Sequence, residues 1–292
     1  MTLAATADAV ATAPRPRTGF ARFARRNPTI VAGGFILALI AGLALAAPLF
    51  AGDAITMNPA LRLRPPSEAN WFGTDHLGRD VFARTVYGAR VSLLVGLSVS
   101  AMSIIVGLHI GLLSGYFRRV DAVVMRLMDG LMAIPAILLA IALVALTRSS
   151  VSTVIIAITI PEVPRVVRLV RAVVLGVREA PYVEAAIAGG TPTWKILLRH
   201  ILPNTIAPLI VQATYICASA ILIEAALSFL GAGTPPEIPT WGNMIAQSRL
   251  FLSRAPWTIF APGIALALVV LAVNLLGDGL RDRLDPRLAR RM

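Results

Sequence analysis

Long apolar runs alternate with short charged or proline-rich stretches along this chain, and the runs are longer than buried strands or ordinary surface helices need. A hydrocarbon layer about 30 Å deep takes about 20 helical residues, and on that ruler six segments read as spans. They are 29–51, 91–114, 129–147, 150–172, 206–229 and 259–277. In the fourth, the clean apolar run stops at Pro161-Glu162-Val163-Pro164, and Arg165, Arg168 and Arg171 follow at three-residue spacing. That pattern predicts a proline-kinked helix that continues out of the bilayer. In the second, Ser103, Gly107, Gly111 and Gly115 recur every fourth residue, so they share a face that another helix can approach closely. Arg25 and Arg26 precede the first run, and Ala44-Leu45-Ala46 resembles a cleavage site. Secretory apolar regions run about 7–15 residues, so the longer run reads as an anchor. Residues 1–18, rich in Ala, Thr and Pro, read as disordered.

Composition agrees with the pattern. With 57% hydrophobic and 14% charged residues, the chain cannot hide its apolar surface in one soluble core of this size. An all-α integral membrane protein is the expectation. The net charge of +12 does not imply nucleic acid, because the basic residues sort by side. Nineteen of the 27 fall in the N-terminal tail, the loop near 115–128, the loop near 165–205 and the C-terminal tail. The remaining eight, Arg62, Arg64, Arg79, Arg84, Arg90, Arg148, Arg249 and Arg254, lie on the other side. This bias puts both termini in the cytoplasm, although the arginines at 62–90 count against it. The single cysteine, Cys217, excludes an internal disulfide and reads as a packing residue.

Ionisable groups inside spans are costly and call for a reason. Glu224 lies in the fifth span, and His109 and Asn274 are polar groups in other spans that would share an interior cavity with it. They are the candidate pathway residues, with helix–helix hydrogen bonding as the competing role. Asp129, at the start of the third span, reads as interfacial or structural. The segment 231–258, with Pro235, Pro236, Pro239, Trp241 and Trp257, reads as folding back on the outer membrane face. Catalysis finds no support: there is no GxxxxGK[ST] phosphate loop, no HExxH, no CxxC and no GxSxG, and His76, His109 and His200 are scattered. No catalytic residue, metal or bound cofactor is expected in this chain.

Between the fourth and fifth spans, residues Glu184 to Pro203 read EAAIAGGTPTWKILLRHILP. Ala185, Ala186 and Ala188 leave a short helix without bulk, and Gly189-Gly190 can end it at positive φ. Thr191-Pro192 then offers an N-cap and a proline at the first helical position. Trp194, Ile196, Leu197, Leu198, Ile201 and Leu202 supply an apolar stripe on the second helix, with Lys195, Arg199 and His200 toward water. Pro203 punctuates entry to the fifth span.

Glu184-Ala185-Ala186, Gly190 and Leu202-Pro203 resemble the EAA loop of bacterial ABC importer permeases. A second EAA at Glu224-Ala225-Ala226 lacks the glycine and proline at the matching spacing, so the letters alone mean little. The stretch Trp71 to Asp80 (WFGTDHLGRD), with Arg84 and Gly88-Ala89-Arg90, resembles the C-type permease subunit of dipeptide and oligopeptide (peptide/nickel) importers. So do Leu227 to Gly231, Pro235-Pro236, Trp241-Gly242, Asn274 to Asp282 and Asp285-Pro286-Arg287, and together the resemblance covers about residues 70–290.

The resemblance implies a type I ABC importer transmembrane domain of six helices with a cytosolic coupling helix. Its segments would be a cytoplasmic tail 1–28, a first helix 29–51, an external loop 52–90, a five-helix core 91–280 containing the EAA loop 182–203, and a cytoplasmic tail 281–292. It implies a permease for di- or oligopeptides or similar small solutes in the bacterial inner membrane, coupled to ATPase subunits through Glu184, Ala185, Ala186, Gly190, Leu202 and Pro203. Implied partners are a second homologous permease, two ATPase subunits holding ATP and Mg, an extracytoplasmic substrate-binding protein and membrane lipid. An ion-gradient-driven secondary transporter would want an internal inverted repeat and several midplane acids. An intramembrane enzyme would want a nucleophile or metal cluster. Neither pattern is present, and no residue distinguishes dipeptide, oligopeptide or nickel as cargo.

Overall fold

The computed structural model describes residues 20–284, and within them helices account for all regular structure apart from one isolated bridge between Thr74 and Asp80. The tail residues 1–18 and the motif Asp285-Pro286-Arg287 lie outside the described residues. Helices α1 (Phe20–Arg26) and α2 (Pro28–Phe50) lead into a loop with a single 3-10 turn. Then come α3 (Val81–Tyr116), α4 (Arg118–Met132), α5 (Ala136–Ala145), α6 (Val151–Arg178), α7 (Pro181–Ala188) and α8 (Thr193–Ile196). A π-turn at Leu197–Ile201 joins α8 to α9 (Leu202–Phe229), and α10 (Trp241–Ser248) and α11 (Trp257–Leu284) complete the chain.

Among the described residues, four helical runs are long and apolar enough to cross a membrane: α2, α3, the α8–α9 run Thr193–Phe229, and α11. The expected span 129–147 is not one rod. Its residues are divided between α4 and α5, which meet at 86° across Ala133-Ile134-Pro135. Pro135 cannot donate a backbone hydrogen bond and disfavours helical backbone in the residue before it, so the helix stops there and restarts in a new direction. At 1.5 Å per residue, α5 alone covers only about 15 Å. Helix α6 runs unbroken through Pro161 and Pro164 to Arg178, as the sequence indicates, but it is too charged to meet the same test of length and apolarity.

The second span also starts earlier than its hydropathy indicates. Asp80 caps α3 by accepting from the backbone N–H groups of Phe82 (2.8 Å) and Ala83 (3.4 Å), so residues 81–90 are helix rather than loop. Arg84 and Arg90 mask that turn in a hydropathy reading, yet Val81, Ala83, Arg84 and Ala89 are buried.

The small-residue face of α3 is filled as its spacing predicts. A Cβ placed on Gly107, Gly111 or Gly115 would lie 2.5, 2.7 or 2.6 Å from the Cβ of Val166, Val170 or Val174. The two residue series rise together, so α3 and α6 run parallel, with valine methyls seated where glycine hydrogens stand. The main core gathers around this seam, taking in Val95, Val99, Ile158, Val166, Val170, Val174, Ile216 and Leu227.

At one end of the bundle, residues 52–80 and 231–256 fold together into a cap. Asp75 accepts from the Arg79 guanidinium at 2.7 Å and lies 3.8 Å from Arg84, all three nearly sealed from solvent. Arg79 also donates to Gln247 (2.8 Å), Arg84 to the Ala54 carbonyl (3.1 Å), and the Trp257 indole to the Thr74 carbonyl (3.2 Å). Trp241 is fully buried, its indole donating to the Thr85 carbonyl at 3.0 Å, so it is a core residue and not a headgroup-level aromatic.

Candidate functional site

The EAA segment lies at the opposite end of the bundle from the cap. Helix α6 ends at Arg178, whose guanidinium donates to the Tyr116 carbonyl at 3.2 Å, and α7 begins after Glu179-Ala180 with proline at its first position. Val183, wholly buried, anchors α7 to the core, while Glu184 and Ala185 are exposed and Ala186 is half-buried. Glu184 stands in the first turn, where a carboxylate favours the helix dipole.

Helix α7 ends in a Schellman turn. Gly190 has φ +74°, its N–H donates to Ile187 O at 3.0 Å, and Thr191 N–H donates back to Ala186 O at 3.0 Å. The glycine expected to adopt positive φ is therefore Gly190, and Gly189 keeps φ −75°. The second helix starts one residue later than expected. Pro192 occupies the N-cap position with extended backbone, and Thr191 supplies no side-chain cap.

The apolar stripe of the second helix divides. Ile196 and Ile201 are buried, Leu197 and Leu202 are half-buried, and Trp194 and Leu198 are 60% and 55% exposed. A five-residue spacing between buried positions is the signature of the π-turn that lies between them. Pro203 is exposed and does not interrupt the run: the Leu202 N–H reaches back to Leu197 O, and the wider turn accommodates a proline that cannot bond to the turn before it. Asn204 donates to His200 O (2.7 Å) and to the Tyr182 hydroxyl (3.3 Å), which ties α7 to the base of α9. Tyr182, Ile187, Trp194 and Leu198 thus stand exposed on adjoining elements, beside Lys195 and Arg199.

The three candidate pathway residues do not meet. Glu224 is fully buried near the end of α9, where Ser228 donates to its Oε1 at 2.9 Å and the turn at Gly242 packs on Ala225 and Ser228. It is five residues from the helix end and not at mid-span. Its burial removes the acidic group of the second EAA from the surface, whereas Glu184 of the first is exposed. His109 is exposed on α3 and bonds through Nδ1 to Ile105 O at 2.7 Å. Asn274 lines a cleft between α9 and α11 at the α7–α8 end of the molecule.

A different charged array does converge. Asp129 pairs with Arg168 at 2.5 Å and Asp121 with Arg171 at 2.5 Å across the α4–α6 seam, and Glu162 pairs with Arg165 at 3.3 Å within α6. The three-residue arginine spacing is visible in the sequence. The acidic half is harder to see, because it requires Asp121 and Asp129, eight residues apart, to share a face of α4. Among the described residues no group of three or more His, Cys, Asp or Glu has metal-binding geometry.

Comparison with known proteins bears on the same surfaces. Residues 103–290 match the family described as binding-protein-dependent transport system inner membrane component, a region containing α4–α11 and the whole α3 small-residue face from Ser103 to Gly115. The chain belongs to that family.

As a member of this permease family, it is 58% identical over 290 residues to a probable peptide ABC transporter permease protein of Sinorhizobium fredii, covering 99% of this chain and 100% of that one. It is 44% identical to the dipeptide transport system permease protein DppC of Alkalihalophilus pseudofirmus, covering 90% and 88% of the two chains. To the glutathione transport system permease protein GsiD of Pectobacterium atrosepticum it is 41% identical, covering 91% and 89%. A chain of the MetNI methionine ABC transporter in an inward-facing conformation superposes with a TM-score of 0.55 at 20% identity, covering 69% of this chain and 96% of that one. At that identity the likeness is one of fold. The chain is an inner-membrane permease component of an ABC importer.

Proposed function

We propose that this permease forms half of the translocation pathway of an importer for di- and oligopeptides or similar small solutes, and that α7 and α8 are its dock for the ATPase subunits. The observation that carries the proposal is the exposed, glycine-turned α7–α8 pair, joined directly to α6 on one side and to α9 on the other. A partner groove that closes on this pair would take up Ala185 and Ala186 without obstruction and cover Ile187, Trp194 and Leu198. Displacement of α7 then moves α6 and α9 together, because Val183 is packed in the core and Tyr182 is tied to Asn204.

In this reading six spans cross the membrane, namely α2, α3, the elbow of α4 with α5, α6, α9 and α11. Residues 1–28 and 281–292 form cytoplasmic tails, 52–80 belong to the external cap, and the EAA loop is cytosolic. The arginine distribution supports that orientation. Two arginines that count against it, Arg79 and Arg84, are sealed in the cap beside Asp75 and are not free juxtamembrane cations. ATP and Mg belong to two partner ATPase subunits, a second homologous permease completes the pathway, and an extracytoplasmic binding protein delivers cargo to the cap side. The names of the relatives, for peptide, dipeptide and glutathione, favour a short peptide as that cargo.

In the complex reconstituted with its ATPase subunits and binding protein, Gly190→Trp is expected to insert normally and to lose substrate-stimulated ATP hydrolysis, since a bulky residue is strained at φ +74°. Stimulation equal to wild type would exclude the docking role.

A further inference from the structure

The cleft lined by Asn274 has a composition that sets it apart from the surrounding apolar spans. It encloses about 660 Å³ between α6, α9 and α11, within the range of about 300–1,000 Å³ common for small-molecule sites. The contact of Gly277 with Thr214 brings α9 and α11 together at its upper end. From there it runs along the α8-proximal half of α9 and about the last three turns of α11, past Gln212, Tyr215, Asn274, Asp278 and Arg281. Polar side chains within the spans, here Gln212 and Asn274, are rare and characteristically face a water-filled path, and Asp278 and Arg281 follow them at the α7–α8 end of α11. Here they come from two helices that are otherwise strongly apolar, and they converge on one cavity.

The two charges in the lining are opposite in sign and one turn apart on α11, yet they do not form one of the ion pairs made among the described residues. A carboxylate acceptor and a guanidinium donor left unpaired with each other suit a ligand that carries both an ammonium and a carboxylate. Beside them, carboxamides from Gln212 and Asn274 match the donors and acceptors of a peptide bond. The Asn204 wall of the cavity is hydrogen-bonded to Tyr182 of α7, so movement of α7 reaches the site directly.

We infer that this cavity binds small zwitterionic solutes on the α7–α8 side of the bundle, with Asp278 receiving the ammonium, Arg281 the carboxylate, and Gln212 and Asn274 the amide between them. The inference rests on the short-peptide reading of the cargo and adds a site to it. Selectivity then resides partly in the permease and not only in the protein that delivers the cargo.

The test uses the reconstituted complex with its one cysteine removed by Cys217→Ala and a new thiol placed by Asn274→Cys. Dialanine is expected to slow modification of that thiol by a membrane-impermeant maleimide applied from the α7–α8 side. N-acetyl-dialanine amide, which has the same backbone and neither charge, should leave the rate unchanged. Adding Asp278→Asn or Arg281→Gln should raise the dialanine concentration needed for protection at least about tenfold, as loss of one charge-assisted hydrogen bond implies. Equal protection by both compounds, or protection by neither, overturns the site. Should Asn274→Cys fail to assemble, Gln212→Cys reports from the facing helix.

Import of labelled dialanine by the wild-type complex separates this inference from the reading beneath it. Import without protection overturns the site alone. Protection without import overturns the peptide-importer reading and upholds the site, and absence of both overturns the two together.

Discussion

Single residues set the sharpest geometric conditions in this permease. Gly78 combines φ +77° with the Asn58 backbone pressed against the place a side chain would take, so Gly78→Ala should open the cap, measured as faster proteolysis between residues 52 and 80. Trp241→Phe keeps an aromatic ring in the core and removes the donor to the Thr85 carbonyl. The expected loss is about 1 kcal/mol, read as a lower melting temperature of the purified protein. His76 stacks on Phe251 at 5.4 Å, and burial pushes its pKa below the ordinary 6.5, with Arg79, Arg62 and Arg84 reinforcing the shift and Asp75 opposing it. Because the folded cap disfavours the protonated ring, the unfolded state binds more protons just below pH 6.5, and stability there rises with pH. Cap protection against proteolysis should therefore weaken as pH falls from 7 through that value, and His76→Gln should flatten the dependence. Gly190 was legible in the sequence because a glycine pair before Thr-Pro has few other uses. Pro192 as the N-cap was not, since Thr191 offers the chemically better cap and loses only to the backbone path that the Schellman turn imposes.

At the scale of elements, the seam between α3 and α6 was readable on one side only. Four small residues at four-residue spacing announce a groove, but nothing in the valines at 166, 170 and 174 singles them out among the other apolar residues of α6 as the ridge. Gly111→Leu should overpack that seam at a cost of about 1–3 kcal/mol, visible as reduced yield of folded protein. The third span was misread for a physical reason: hydropathy sums over 129–147 without registering that Pro135 turns the chain by 86°. Asp121 and Arg171, both partly exposed, should tolerate exchange. Arg171→Asp alone is expected to loosen α4 and lower transport activity, and adding Asp121→Arg should restore much of it. Recovery no better than the single variant would mean that the pair does not hold these helices together.

Across the whole molecule, the two ends of the bundle divide the work. One end is a rigid cap in which distant parts of the chain, near residues 75 and 247, share hydrogen bonds, and its contacts could not be anticipated because they join loops that the sequence presents as separate. The other end keeps apolar side chains such as Trp194 and Leu198 exposed, as a surface awaiting a partner requires. The all-helical membrane class was announced by hydropathy, and the glycine-turned α7–α8 pair by its turn residues. The sealing of Glu224 away from His109 and Asn274 was not, because its seal is formed by a segment that returns from beyond the helix end.

The parallel packing of α6 against α3 also constrains the order of assembly. Helix α6 carries Glu162 and four arginines, whereas α3 is free of charge beyond Arg90. A glycine groove already in place when α6 arrives would offer the newcomer a protein surface in exchange for lipid along one face. Biogenesis of this permease would then be sequential, with α3 acting as an internal chaperone for the more charged helix.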